Sequence, residues 1–450
     1  MTPRDQAVQF YNSAVSVQES DKQMSYKMLI SAADADPSLP NSWWGISNAN
    51  ADMNLRESAV ACYRRYLELT PDDGRAWTNL GHVLYHLGKI DEAEACCLRA
   101  IKLDDALANA WMNLSITQSV QCRIEESLRS AQKAFELDQN PITEMALGFA
   151  YLHARKFDLG LKHFEAKIPY KIPQYLSFPW PRWQGEDISD KTLYVVSDQG
   201  LGDTLCYLRF IPAAAKRCAK IVMHMQSELM RMAALMLMDC ANVEIIPLNA
   251  PLPVADIWVG ITSLPVALGL SSDEIEHAPQ LPITIESSLA PWKARGRKLH
   301  IGICWAGSPG NDVDRWRSTG IENFLELCRV PGVQLYSLQI GPHSQDVHAT
   351  GSAAVVKDLA PWVRDVYDSA AIVQNLDLII SIESFLPHLC ATLHRECWIV
   401  YARNGGDYRI GRKGSRTIWH PTARVFYQDE RAAWGPVFDE VVYALRERVK

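Results

Sequence analysis

The order of apolar and polar positions divides this chain into two textures, with the change between residues 168 and 190. In the first, the pattern repeats. Trp43, Trp77 and Trp111 stand 34 residues apart, and their neighbours repeat with them: Trp77-Thr78-Asn79-Leu80-Gly81 aligns with Trp111-Met112-Asn113-Leu114-Ser115 and, more loosely, with Trp43-Trp44-Gly45-Ile46-Ser47. A small residue follows the Leu or Ile each time. Ala59, Ala93 and Ser127 keep the same spacing, as do Ala100 and Ala134, and small residues there let paired helices approach closely. Acidic and turn residues close the units, as in Asp34-Ala35-Asp36-Pro37, Thr70-Pro71-Asp72-Asp73 and Leu137-Asp138-Gln139-Asn140-Pro141, where proline stops a helix.

A helix-turn-helix unit of this length with these positions resembles the tetratricopeptide repeat. The resemblance predicts units at about residues 9–42, 43–76, 77–110 and 111–143, with Leu147, Gly148, Tyr151 and Phe164 marking a fifth that is one residue out of register. Stacked pairs form a curved solenoid whose inner groove, built from first helices, commonly holds a peptide or protein segment. In this family the position of Asn79 and Asn113 often faces that groove and bonds to a ligand's backbone. A solvated helix face is the alternative reading of the same two residues.

The texture then changes. Pro169, Pro173, Pro179 and Pro181 interleave with Tyr170, Tyr175, Phe178, Trp180 and Trp183, which marks a packed, semi-rigid junction. From Leu193 short β-branched and apolar runs each precede a helical stretch: LYVVS, KIVMHM, VEIIPL and ADIWVG, then from Leu299 LHIGICWAG, VQLYSLQI, AAVVKDL, LDLIISI, CWIVYA and RVFY. Alternation of this kind implies parallel strands with crossover helices. The expected architecture is a helical solenoid over 1–170, a connection over 171–190, and two Rossmann-like halves over 191–290 and 291–450. Ligands of such halves bind beyond the carboxyl ends of the strands, and a cleft between two halves suits a two-part substrate.

Charge and cysteine usage narrow the partners. With 45 basic and 52 acidic side chains the formal charge is −7, which is the wrong field for general polyanion binding, so nucleic acid is not an expected partner. The 11 cysteines are odd in number and scattered, with no CxxC pair, and do not read as a disulfide framework. No basic stretch followed by an apolar run opens the sequence, and no run of about 18 apolar residues occurs anywhere. The expectation is a cytoplasmic protein without a membrane span.

The segment PRWQGEDISDKTLYVVSDQGLGDTLCYLRFIP, with HIGICWAGSPGNDVDRWRS, SLQIG and DLIISIESFLPHLCATL, resembles the heptosyltransferase-like glycosyltransferases that carry amino-terminal tetratricopeptide repeats. These have the GT-B architecture of glycosyltransferase family 9, and the resemblance covers essentially the whole chain. It implies inverting transfer of a sugar from a nucleotide-sugar co-substrate, without metal or other cofactor, to a protein acceptor recruited by the repeats, such as a bacterial surface or flagellar protein. Two other readings stay open: a catalytically degenerate scaffold, and heptose transfer to a glycolipid.

The same resemblance assigns residues. In the acceptor-side loop Gln199, Gly200, Gly202 and Thr204 surround Asp203, which matches the family's general base; the alternative is a helix cap. No Gly-Lys-Ser/Thr follows, so the loop is not a P-loop. On the donor side Gly307, Ser308, Arg315, Arg317 and Ser318 face the diphosphate in the family, where cations offset charge on the departing nucleotide; solvated surface arginines are the alternative. Gln339, Ser381, Glu383, Ser384 and His388 match the rest of the donor site, and Asp407 lies in a loop, Asn404 to Arg409, that resembles the family's Asp-Trp-Arg segment. A core histidine is the alternative for His388. The sequence departs from the family at Glu383, where Asp is usual, at Ile340, where Lys is common, and at His394, where Gly is common. Arg315, Arg317 or Arg409 would have to replace the missing lysine charge. Asp312-Val313-Asp314 has the DxD form of metal-dependent transferases, but no His or Cys ligand spacing accompanies it.

Overall fold

The computed structural model describes residues 1–450 except 286–292, 294, 295, 297, 298, 311–313, 404, 405, 412–416, 418 and 430–432, and the side chain of Arg315. Asp312 and Val313 of the DxD-form stretch, most of the polar segment near 286–298, and Asn404 therefore lie outside the described residues. The chain forms two compact units, Met1–Ala150 and Tyr151–Lys450.

The first unit is helical: α1 Pro3–Val17, α2 Lys22–Ala35, α3 Pro40–Asp52, α4 Arg56–Leu69, α5 Gly74–His86, α6 Ile90–Leu103, α7 Ala108–Val120 and α8 Ile124–Leu137, with α9 Pro141–His153 crossing into the second unit. Successive helices pack as pairs, and each pair packs on the next. The pairs begin about three residues earlier than the tryptophan rhythm suggests, because Trp43, Trp77 and Trp111 are each the fourth residue of their helix. Each indole N–H reaches back to a carbonyl of the preceding turn: Trp43 to Pro37 at 2.9 Å, Trp77 to Pro71 at 2.8 Å and Trp111 to Asp105 at 2.9 Å. The repeated tryptophan thus ties one helical pair to the next. Ala59, Ala93, Ala100 and Ala134 are fully buried. A Cβ on Gly81 would stand 3.1 Å from both the Ala93 carbonyl and the Cys97 sulfur, so the small residue after the Leu sets how closely α5 meets α6.

The second unit opens with α10 Phe157–Phe164 and α11 Lys167–Lys171, then alternates strand and helix. Its strands are β1 Ile188–Val196, β2 Cys218–Met225, β3 Val243–Pro247, β4 Ile257–Gly260, β5 Leu299–Cys304, β6 Val333–Ser337, β7 Val356–Asp358, β8 Leu378–Ile382, β9 Cys397–Tyr401 and β10 Ala423–Tyr427. Between them lie α12 Leu201–Tyr207, α13 Ile211–Ala215, α14 Met230–Met236, α15 Leu264–Ala267, α16 Ser272–Glu276, α17 Asp314–Arg317, α18 Ile321–Leu325, α19 Asp346–Ala349, α20 Val366–Gln374 and α21 Phe385–Thr392, and α22 Trp434–Val449 closes the chain. All ten apolar runs named from the sequence are strands. They form two parallel sheets, ordered β3-β2-β1-β4 and β10-β9-β8-β5-β6-β7. Strand order reverses between β1 and β4 in one sheet and between β5 and β8 in the other, and crevices for ligands open at such points.

The stretch expected to be a connection is built into this unit. Leu152, Phe157, Leu161 and Trp183 share one apolar core with Leu193, Val195, Ile379 and Ile399, which also joins the two sheets. The Trp183 amide donates to the Trp258 carbonyl at 2.8 Å. Lys167 and Asp198, at most 2% exposed in their side chains, pair at 2.6 Å. The Pro and aromatic texture therefore marks irregular backbone, and that backbone is packed. All 11 cysteines are free, and among the described residues no helix is long and apolar enough to cross a membrane.

Candidate functional site

The first switch point carries the loop singled out from the sequence. β1 runs into Ser197 and Asp198, and Asp198 is fixed by Lys167 and by Thr262 from the end of β4, whose hydroxyl lies 2.9 Å away. A Cβ at Gly260 would fall 2.6 Å from the Asp198 carboxylate, so only glycine leaves room for it. Gly200 is the N-cap residue of α12 and makes no side-chain cap bond. Asp203 sits in the first turn without capping it, and a third of its side chain is exposed. Thr204 is buried and donates to Gln226 at 3.3 Å, and Gln226 donates to the Gln199 carbonyl at 2.8 Å. Gln226, at the end of β2, was not singled out from the sequence and braces the loop from beneath.

Across from this loop stands α21. Gly202 allows the approach: a Cβ there would lie 2.7 Å from His388 Cδ2. His388 Nδ1 is 3.2 Å from Cys206 Sγ and 2.9 Å from His420 Nε2, and its Nε2 is 3.2 Å from Asp407 Oδ2. Asp407 accepts from Arg409 through both oxygens, at 2.8 and 3.0 Å, and Arg409 Nη1 lies 2.9 Å from Asp203 Oδ1. Tyr207 and Tyr408 meet hydroxyl to hydroxyl at 2.7 Å. The sequence-assigned Asp203, His388 and Asp407 thus come together, joined by Cys206, Tyr207, Tyr408, Arg409 and His420. Of these, Tyr408 and Arg409 lie in the loop likened to an Asp-Trp-Arg segment, and Arg409 was also offered as a substitute cation; Cys206, Tyr207 and His420 carried no assigned role.

The network sets its own charges. Burial works against an ionised Asp407, but Arg409 and His388 hold its carboxyl well below the usual range. Burial likewise works against a charged His388, and the Cys206 sulfur and Asp407 outweigh it, so the ring stays protonated up to about 9. His420, buried beside that cation, is held neutral by a value well below the usual one. Cys206, His388 and Asp407 have the order of a thiol–imidazole–carboxylate triad, yet Cys206 is only 3% exposed and gives a substrate no approach in this structure.

At the second switch point the assigned residues separate into braces and rim. Gln339 is buried, and its amide accepts from the Trp305 and Ala306 amides at 3.1 and 3.0 Å and donates to the Ala306 carbonyl at 3.0 Å. Ser381 is fully buried, with its hydroxyl on the Ile382 carbonyl and 3.1 Å from Ser384, the N-cap of α21. Glu383 is buried at the end of β8. Ser318 accepts from the Gly307 amide at 2.9 Å, and Arg317 pairs with Asp314 at 3.1 Å. Ser308 is exposed. Ile340 is half exposed, so an apolar side chain faces solvent beside this switch point.

Comparison with known proteins decides the first unit. Models of the tetratricopeptide repeat match residues 40–73 and 74–105. The amino-terminal region is built of tetratricopeptide repeats. Over 433 residues the chain is 20% identical to Protein FlbA of Caulobacter vibrioides, spanning 88% of this chain and 71% of that one. Among solved structures it is similar to MamA of Desulfovibrio magneticus RS-1, with 20% identity, a TM-score of 0.34, and coverage of 38% of this chain and 97% of that one. It is also similar to YrrB, described as a TPR protein with an unusual peptide-binding site, with 17% identity, a TM-score of 0.32, and coverage of 38% and 88%.

Within the tetratricopeptide repeats the two asparagines differ from the groove reading. Asn113 is 6% exposed, and its amide donates to the Thr78 carbonyl at 3.3 Å, so it braces α7 on α5 and does not face a groove. Asn79 is half-buried, and its side-chain amide donates at 3.4 Å to the Asn48 side-chain oxygen Oδ1, which also accepts from Tyr63 at 2.6 Å. Neighbouring repeats use these polar groups to bond to one another.

Proposed function

We propose that this chain is an inverting glycosyltransferase of the GT-B type that moves a sugar from a nucleotide-sugar to a protein acceptor recruited by its tetratricopeptide repeats. The observation that carries the reading is Asp203, a part-exposed carboxylate at one switch point that faces an arginine from the other half. In an inverting transfer the base takes the acceptor hydroxyl's proton as that oxygen bonds to the anomeric carbon, and the bond to the nucleotide breaks with its electron pair on the leaving diphosphate. Arg317 and the amide groups at the start of α21 are the groups of the second half suited to that developing charge.

A second reading, a scaffold that no longer turns over, is favoured by Ile340 and by the internal bonding of Gln339 and Ser381. A thermal-shift and calorimetric panel of ADP-, UDP-, GDP- and CMP-sugars separates the two, because a ligand of the native state raises its apparent stability. Saturable binding of one class, with Asp203→Asn binding the donor but losing transfer, is the expected result. A folded protein that binds none of them supports the scaffold.

A further inference from the structure

We infer that Arg409 is the positioning residue for Asp203, so that the carboxylate on one half of the α/β unit is set in place by the other half; this rests on the reading of Asp203 as general base. Arg409 follows β9, and Asp203 follows β1. The guanidinium fork is fixed first by Asp407: Nε and Nη2 take one carboxylate oxygen each, at 2.8 and 3.0 Å, and the Arg409 backbone amide bonds to the same group at 2.9 Å. A planar fork held on one edge has no freedom left to aim its third nitrogen. That nitrogen, Nη1, is buried, has no aligned hydrogen bond, and lies 2.9 Å from Asp203 Oδ1. The attraction is therefore an ion pair across the two halves. Asp407 is steadied in turn by His388 Nε2 at 3.2 Å.

The pairing also divides the Asp203 carboxylate between two tasks. Oδ1 belongs to Arg409. Oδ2 lies near the Gly200 backbone, where an added Cβ would be 3.5 Å from it, in a side chain that is one third exposed. One oxygen is anchored and the other is left for an acceptor hydroxyl. The arginine acts through Asp203 and not on substrate.

A double-mutant cycle on the full chain, combining Asp203→Asn and Arg409→Gln, tests the pairing by two readouts. In urea unfolding the double variant should be no less stable than the worse single variant; fully additive losses overturn the inference. In turnover, read as nucleotide released from the ADP-, UDP-, GDP- and CMP-sugar panel with the acceptor present, Arg409→Gln should lower kcat by about 100-fold while donor KM changes by less than about threefold. On the Asp203→Asn background it should cost nothing more. Millimolar guanidinium added to Arg409→Ala should recover part of kcat, which a purely structural loss would not allow. A raised donor KM with unchanged kcat would make Arg409 a donor ligand and sink the proposal. A wild-type chain that releases no nucleotide from any donor defeats the transferase reading, and the unfolding cycle then decides the pairing by itself. Should Arg409→Gln fail to fold, Arg409→Lys, which keeps the charge and loses the fork, takes its place in both readouts.

Discussion

His388 bonds to three polar groups while almost wholly buried, and its proton decides the charge of the network around it. In the unfolded chain a histidine titrates near 6.5, whereas His388 keeps its proton up to about 9. Its stabilising contribution is complete below about 6.5 and is lost as pH rises through about 9. His420 acts in the opposite direction. Its folded value is depressed, so its contribution is present above about 6.5 and is lost as pH falls. Over pH 6.5 to 9, where His388 would lose its proton in the unfolded chain but keeps it in the fold, His388→Asn should remove part of the pH dependence of the thermal midpoint. Neither effect was legible beforehand, because a sequence that shows two histidines 32 residues apart does not show that they share one hydrogen bond. Gly202 is similar: Gly202→Ala would push a Cβ into the His388 ring, and a loss of about 1–3 kcal/mol in urea unfolding is expected.

Between residue and domain, the helical pair is the unit that the sequence revealed best. Its rhythm extends to the backbone of the turns. Asn54, Gly88, Cys122 and Arg155 all have φ between 60° and 71°, at the 34-residue spacing with the last one residue early, as the fifth repeat is. The residue after each donates back to a carbonyl five positions earlier, as Lys89 does to Leu84 at 2.9 Å and Arg123 to Gln118 at 2.9 Å. Left-handed backbone costs a β-carbon-bearing residue about 1 kcal/mol relative to glycine. Cys122→Gly should therefore raise unfolding stability by about that much, and a loss would mean the Cys122 side chain contributes packing that its exposure does not suggest. His394 is likewise left-handed at φ 52°. The register of the helices and the burial of Asn113 were not legible in the sequence for one reason. A period gives spacing without phase, so it does not say which side of a helix a residue occupies. Asn113→Ala should cost about 1–2 kcal/mol of stability through the lost bond to Thr78, with peptide binding unchanged.

Taken whole, the molecule places its division earlier than its composition does. The proline and aromatic stretch reads as a junction because it is irregular, yet Ile168, Tyr175, Phe178 and Trp180 pack on Tyr194 and Trp258 of the first sheet. A chain beginning at Tyr151 should fold as an α/β protein, while one beginning at residue 171 should not, as judged by circular dichroism and a cooperative melt. The shorter chain loses Leu152, Phe157 and Leu161 from the core and Ile168 from the cluster with Tyr194 and Trp258, and it strips Asp198 of the lysine that neutralises it, a loss of about 3–5 kcal/mol for the charge alone. The parallel sheets were legible because buried strands read as continuous apolar runs. The contacts between the halves were not, since they join side chains some 200 positions apart, as Tyr207 and Tyr408 do.

That early packing has a consequence during synthesis. Phe157 leaves the ribosome long before Trp419, whose ring it meets at 6.3 Å, and Lys167 leaves before Asp198, the carboxylate that neutralises it. At ~5–20 residues per second the wait for Trp419 is on the order of tens of seconds. The repeats have their own core and can settle meanwhile, and Tyr194 and Trp258 can cover Ile168 to Trp180 early, while Phe157 still lacks its last aromatic partner. Slower translation lengthens that interval, so the yield of folded protein should depend on chaperone supply at this segment more than on the stability of the finished fold.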